Sequence, residues 1–261
     1  MNDTVQYQAG DGVATITLNR PDKLNAMNPA LIGAAVDAIQ RAASDEDVRV
    51  VVLTGAGRGF CVGGDLSAGG FGGDLPLQGQ VARLRGSMRS AQLLHEMPKV
   101  TIAAINGACA GAGLSWACAC DLRYAARSAK FTTAFLNAGL SGDFGGTWSL
   151  PRIVGDARAR ELYLLADRFD ARDAEHYGLV SQALPDEDLM EHVETIARRL
   201  AASPPLALAR IKANLNDAQH VSFSEALDRE AERHVRCANT EDHREAARAF
   251  LEKRPGVYRG R

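Results

Sequence analysis

With 261 residues, 24% of them charged and 46% hydrophobic, the chain suits one large globular domain or one domain with an appendage, and it contains no apolar run of eighteen or more residues that would span a membrane. A formal net charge of −2, with basic residues spread along the chain, excludes the strong positive field that gathers nucleic acid. The opening "MNDTVQYQAGDGVATITLNR" has neither the basic and apolar regions of a signal peptide nor the acid-poor, Arg/Ser-rich character of a transit peptide, so a cytoplasmic protein is expected.

Residues 4–8 and 13–19 alternate apolar and polar, which predicts a hairpin closed by Gly10, Asp11 and Gly12. "NPALIGAAVDAIQRAAS" predicts an amphipathic helix with Asn28 as N-cap and Pro29 in its first position. "VRVVVLTG" (48–55) and "KVTIAAING" (99–107) are β-branched apolar runs ending in glycine, the pattern of strands buried on both faces. Helical patterns at about 80–97 and 111–119 separate and follow them, which predicts stacked β/α units with parallel pairing. Beyond about residue 150 strands thin out. Helices are expected near 156–166, 171–177 and 186–202, and "SPP" at 203–205 ends one helix and starts another. Ser222 with Glu225 forms a capping box for the next helix, and Thr240 caps the last. The expected organisation is an α/β body over 1–202 and a helical region over 203–261, without internal repeats.

Five cysteines (Cys61, Cys109, Cys118, Cys120, Cys237), without a CxxC pair or a nearby His at ligand spacing, predict buried free thiols and no metal site. Cys61 lies in a glycine-rich loop, but nothing beside it would lower its pKa.

Two glycine-rich segments follow the two apolar strands: "GAGRGFCVGGDL" and "NGACAGAGLSWA". Glycine there permits positive φ and lets backbone N–H groups approach a ligand, and the second loop runs straight into a helix N-terminus that favours developing negative charge. "GACAGAG" has the GxxxxG spacing of a phosphate loop but no Lys-Ser/Thr follows, and Ser115 lacks the G-x-S-x-G elbow of a serine nucleophile. Further on, "AFLNAGLSGDFGGTW" holds one carboxylate, Asp143, among Gly139, Gly142, Gly145 and Gly146. It reads either as an acid aimed at a ligand or as a turn residue capping a helix that starts near 145.

The ordered segments "NRPDKLNAM", "GRGFCVGGDL", "AAINGACAGAG", "CDLRYAARSAKF" and "AGLSGDFGGTWSLPRIVG", with "AFLEKR" near the C-terminus, resemble the successive signatures of the crotonase superfamily, the enoyl-CoA hydratase/isomerase family. "AGAG", "AARSAKF" and "DFGGTWSLPR" are nearest in pattern to its ring-epoxide isomerases of phenylacetyl-CoA degradation. The resemblance implies an α/β fold, a ClpP-like spiral of ββα units, with C-terminal helices that join subunits into homotrimers or hexamers. It implies an acyl-CoA substrate, with coenzyme A entering as part of that substrate and no separate cofactor or metal; the charge balance and the lack of a long apolar run predict no nucleic-acid or membrane partner. By motif position the thioester oxygen would sit between the backbone N–H groups of Gly64 and Ala112, stabilising charge that develops on it. Contacts to substrate and CoA are carried over to Lys23, Leu24, Val62, Asp65, Leu66 and Phe135, and to Lys253 reaching a neighbour's CoA phosphate.

The hydratases of the family use two glutamates to handle water, and this chain has Ser115 and Phe135 at those positions. Asp143 aligns with the aspartate that isomerases present to the acyl chain, although Gly142 stands where that motif often has proline. Phe135 and Phe144 would desolvate the carboxyl and raise its pKa. The implied activity is a double-bond shift by proton transfer through Asp143. Two other activities stay open: a hydratase or hydrolase using Asp143 alone or with Asp74, His95 or Glu96 from the 66–96 segment, and a non-catalytic acyl-CoA binder or RNA-binding relative presenting Arg83, Arg85 and Arg89. The "GGFGGD" stretch of that segment is expected to be mobile.

Overall fold

The computed structural model describes residues 4–68 and 75–261, so Asp74 and the "GGFGGD" stretch lie outside the described residues. Strands β1 (Val5–Gly10) and β2 (Val13–Leu18) pair antiparallel, and the turn between them takes Asp11 to φ 50° and Gly12 to φ 79°. Helix α1 (Pro29–Ser44) starts at the expected cap: the Leu31 N–H donates to the Asn28 side chain at 2.8 Å, and Pro29 fills a position whose N–H would have no helical partner.

The chain then repeats one move: a strand in a large sheet, a short strand in a second sheet, then helix. The first turn has β3 (Val50–Gly55) and β4 (Gly59–Cys61) before α2 (Leu77–Ser87) and α3 (Arg89–Glu96). The next has β5 (Val100–Ile105) and β6 (Ala108–Ala110) before α4 (Ala112–Ala119). The third has β7 (Leu122–Ala126) and β8 (Lys130–Thr132) before α5 (Gly146–Val154) and α6 (Asp156–Leu165). β9 (Phe169–Asp170), α7 (Ala171–His176), β10 (Gln182–Leu184) and α8 (Leu189–Ala201) complete the body. The large sheet runs β1-β2-β3-β5-β7-β10, parallel from β2 onward, and the small one β4-β6-β8-β9, parallel except for its last pair. This is the spiral of ββα units that the family resemblance implies. The predicted helix over 80–97 is two helices, with Met88 as the cap residue between α2 and α3.

β3 and β5 are buried on both faces, as their unbroken apolar runs require. Val51, Leu53, Ala103 and Ile105 face a core shared with α1, α3 and α4, while Val50, Val52, Ile102 and Ala104 face Leu189, Val193 and Ala197 of α8.

Three helices follow: α9 (Pro205–Asp217), α10 (Phe223–Ala238) and α11 (Glu241–Glu252), with both predicted N-terminal caps formed. α9 is pinned to the body by Lys212, whose buried ammonium donates to Leu94 O at 3.1 Å, Lys99 O at 3.0 Å and the Asp121 carboxylate at 2.8 Å. The three helices leave Ile211, Leu215, Phe223, Leu227, Val235, Phe250 and Leu251 exposed. Among the described residues no helix is long and apolar enough to cross a membrane.

Candidate active site

The two glycine loops meet backbone to backbone. Met27 N–H donates to Gly63 O at 2.7 Å and Asp65 N–H donates to Met27 O at 2.9 Å, so the amide between them, Gly64 N–H, points off that bridge. Gly63 has φ 85°, and a Cβ on it would lie 3.1 Å from Ala110 O and 3.3 Å from the Ala112 nitrogen. A side chain there would crowd the second loop's amide. Ala112 opens α4, eight buried residues long, so its N–H has no carbonyl four residues back in the helix and lies at the positive dipole end. Neither amide has a hydrogen-bond partner among the described residues. Both belong to the wall of one cavity of about 610 Å³.

The first loop is braced by residues that sequence reading did not single out. Asn25 is fully buried at φ 57°; its amide donates to Ala56 O at 3.0 Å and Gly59 O at 2.7 Å, and its oxygen accepts from Arg20 N–H at 2.8 Å. The Arg20 guanidinium donates to Ala26 O and to the Asp65 carboxylate at 3.0 Å. Ser67 hydrogen bonds and this ion pair hold the Asp65 carboxyl below the usual range. The available signal was the quoted "NRPDKLNAM" itself, whose Arg and Asn bind the chain's own backbone.

Opposite the two amides, the loop leading into α5 carries Asp143. Gly139 (φ 66°), Gly142 (φ 113°), Phe144 (φ 47°) and Gly145 (φ 76°) all occupy positive φ. Proline is fixed near φ −65°, so Gly142 marks a different backbone path from the proline-containing motif. The α5 N-cap is Gly145, without a side-chain cap, so Asp143 is not a capping residue. Its Oδ1 is buried with no hydrogen-bond partner, and burial raises the carboxyl pKa to about 6. Phe135 shares the cavity with Asp143, whereas Phe144 turns away to meet Trp116 edge-on at 5.7 Å.

The structure therefore brings Leu24, Val62, Gly64, Leu66, Ala112, Phe135 and Asp143 to one cavity, with Lys130 and Arg168 also on its wall. Lys23 is exposed on the turn before Leu24, Lys253 is exposed at the end of α11, and Asp65 is held by Arg20, so these three do not line it. His95 and Glu96 line a different cavity of about 700 Å³ beyond Phe144, between α3, α5 and α9, where His95 packs edge-on against Trp148 at 5.2 Å. That space is larger but contains neither amide nor the acid. Cys61 is buried and its thiol pushed up to about 12, which removes it as a reactive group; Cys109, Cys118 and Cys120 are buried too, and Cys237 is half-buried. Among the described residues no group of three or more His, Cys, Asp or Glu could hold a metal ion.

A ββα spiral with two amides and a carboxyl around one cavity defines a class, and the comparisons identify it. The enoyl-CoA hydratase/isomerase family model matches residues 8–261. The chain is 39% identical over 253 residues to the 1,2-epoxyphenylacetyl-CoA isomerase of Escherichia coli (strain K12), covering 96% of each. It is 40% identical over 259 residues to a Rhodobacter capsulatus protein named "Probable enoyl-CoA hydratase", covering 99% of this chain and 98% of that one. The crystal structure of an enoyl-CoA hydratase from Polaromonas sp. JS666 superposes with a TM-score of 0.92 at 34% identity, over 98% of this chain and 99% of that one. The chain belongs to the enoyl-CoA hydratase/isomerase family, within the crotonase superfamily.

Proposed function

We propose that this chain shifts a double bond in an unsaturated acyl-CoA, using Asp143 as the group that carries the proton. The observation that supports this most directly is the unpartnered, buried Oδ1 of Asp143 in the same cavity as the free amides of Gly64 and Ala112. In a β,γ-unsaturated thioester the ionised Asp143 takes a proton from the α-carbon, and the C–H electrons move into a dienolate with its charge on the thioester oxygen. The Gly64 and Ala112 N–H groups hold that oxygen; loss of one such donor typically costs about 3 kcal/mol of transition-state stabilisation. The protonated Asp143 then returns its proton at the γ-carbon, leaving the α,β-unsaturated thioester. One carboxyl suffices, which agrees with Ser115 and Phe135 at the two glutamate positions.

In this reading Leu24, Val62 and Leu66 contact the CoA arm, Phe135 lies against the acyl group, and the exposed apolar faces of α9–α11 join subunits as a trimer. Hydration is the second reading, favoured by the hydratase name carried by the Rhodobacter capsulatus relative.

The deciding experiment offers the purified protein a β,γ-unsaturated acyl-CoA and crotonyl-CoA in D2O, following deuterium incorporation and water addition by mass spectrometry, with Asp143→Asn in parallel. Double-bond migration and exchange that disappear in the variant are expected. Hydration persisting in Asp143→Asn would reject Asp143 as the proton carrier.

A further inference from the structure

Both positions where the family's hydratases carry glutamate touch the same residue. Tyr163, half-buried on α6, lays its ring parallel to Phe135, with centroids 6.2 Å apart and planes 14° apart. Its hydroxyl and Ser115 Oγ both crowd Gly146, where a Cβ would lie 2.5 Å from the first and 2.3 Å from the second. Ser115 Oγ–H donates to Gly111 O at 3.3 Å.

Tyr163 also packs along the Asp143 loop on both sides of the acid. A Cβ on Gly142 would lie 3.9 Å from Tyr163 Cε1, and one on Gly146 would overlap Ser115 Oγ and lie 2.5 Å from the Tyr163 hydroxyl. Gly146 N–H in turn donates to Asp143 O at 3.1 Å. Thr133 Oγ1 donates to Leu162 O at 2.8 Å, which ties this stretch of α6 to the loop before Phe135.

We propose that Tyr163 is the positioning residue that fills the space of the two absent glutamates, shutting a hydrating water out of the Asp143 pocket and so favouring proton transfer within the acyl chain over water addition. This rests on the reading of Asp143 given above. The ionisable groups facing Asp143 are Cys61 from β4 and Tyr163 from α6, both raised by burial and so neutral near pH 7, with Lys130 and Arg168 on the cavity wall. No committed cation therefore offsets the desolvation of the acid, and Tyr163 is part of what desolvates it.

The test uses Tyr163→Ala and Tyr163→Phe, the second retaining the ring and hence the packing. The Asp143 carboxyl is titrated in the free protein by 13C NMR, assigned by difference from Asp143→Asn, and the ratio of hydrated to isomerised product is measured with the same two substrates. In Tyr163→Ala the midpoint is expected to fall from about 6 toward 3.8 and the hydrated fraction to rise about tenfold; Tyr163→Phe shifts the product ratio in the same direction by about threefold. Wild-type midpoint and product ratio in both variants would overturn the proposal. If Tyr163→Ala does not fold, Tyr163→Phe decides by the product ratio. Isomerisation surviving in Asp143→Asn would instead overturn the reading of Asp143, while the NMR midpoint still reports on Tyr163 without any turnover.

Discussion

The two sides of the cavity are built by opposite means. The amide side is locked: Gly113 has no room for a Cβ against the Cys61 carbonyl, Gly63 lies against Ala112, and Asn25 ties the first loop with three hydrogen bonds. The acid side is a loop with four residues at positive φ, two before and two after a carboxyl that has been given burial but no partner at Oδ1. A donor pair that must meet charge only as it forms gains from being fixed beforehand, whereas a group that must give and take a proton gains from lacking a permanent partner.

That contrast is tested most severely at Gly113→Ala. The new methyl group meets backbone, which cannot rotate away, so a loss of about 3 kcal/mol or more is expected, with no cooperative melting transition in the extreme. Asn25→Ala removes hydrogen bonds to Ala56 O, Gly59 O and Arg20 N–H, of which Gly59 O keeps a longer one from Asn106, and is expected to cost about 2–3 kcal/mol in urea unfolding, with acyl-CoA turnover falling alongside.

On the acid side the direction reverses. A carboxyl raised to about 6 binds protons more tightly in the native than in the unfolded state, so stability falls as pH rises from about 4 to about 6 and the penalty persists above. Asp143→Asn removes it and is expected to stabilise the protein by about 1–3 kcal/mol at pH 7.5, with no gain near pH 3.5, as read by chemical denaturation at both pH values. The same value predicts that wild-type turnover drops on the acid side of pH 6. The smallest effect belongs to Gly145→Ala. Space is open there but φ is 76°, so about 1 kcal/mol of backbone strain is expected in its melting curve, unlike the collapse at Gly113.

Much of this was readable from the chain because glycine, proline and capping residues act locally. Asn28, Ser222, Glu225 and Thr240 cap the helices they were expected to cap, and the two long apolar runs became the central strands. The second sheet was not readable in the same way. Its strands are two or three residues long, too short for any periodicity, and are held by neighbours from other turns of the spiral. Asp143 stood out as a lone acid among glycines, but the Tyr163–Ser115 contact joins residues 48 apart and arises only because α6 returns across the Asp143 loop. Arg20 and Asp65 are likewise 45 apart, so an aspartate carried over as a ligand contact is an internal strut. His95 and Glu96 follow the same logic: α3 directs them to the far side of Phe144.

The anchoring of α9 through Lys212 bears on how the molecule comes apart. Removing the last three helices would strip a charged donor from two main-chain carbonyls and from Asp121, leaving acceptors beside β5 and β7 to be rehydrated. The amides of α9 should therefore exchange with solvent only in the same rare openings that expose the central strands, while those of α11 exchange earlier. The C-terminal arm is in this sense two pieces, a keystone in α9 and an outer brace in α11, whose Asp242 carboxylate accepts from Arg259 and Gly260 N–H of a tail that Arg49 holds at Tyr258 O, 2.9 Å away.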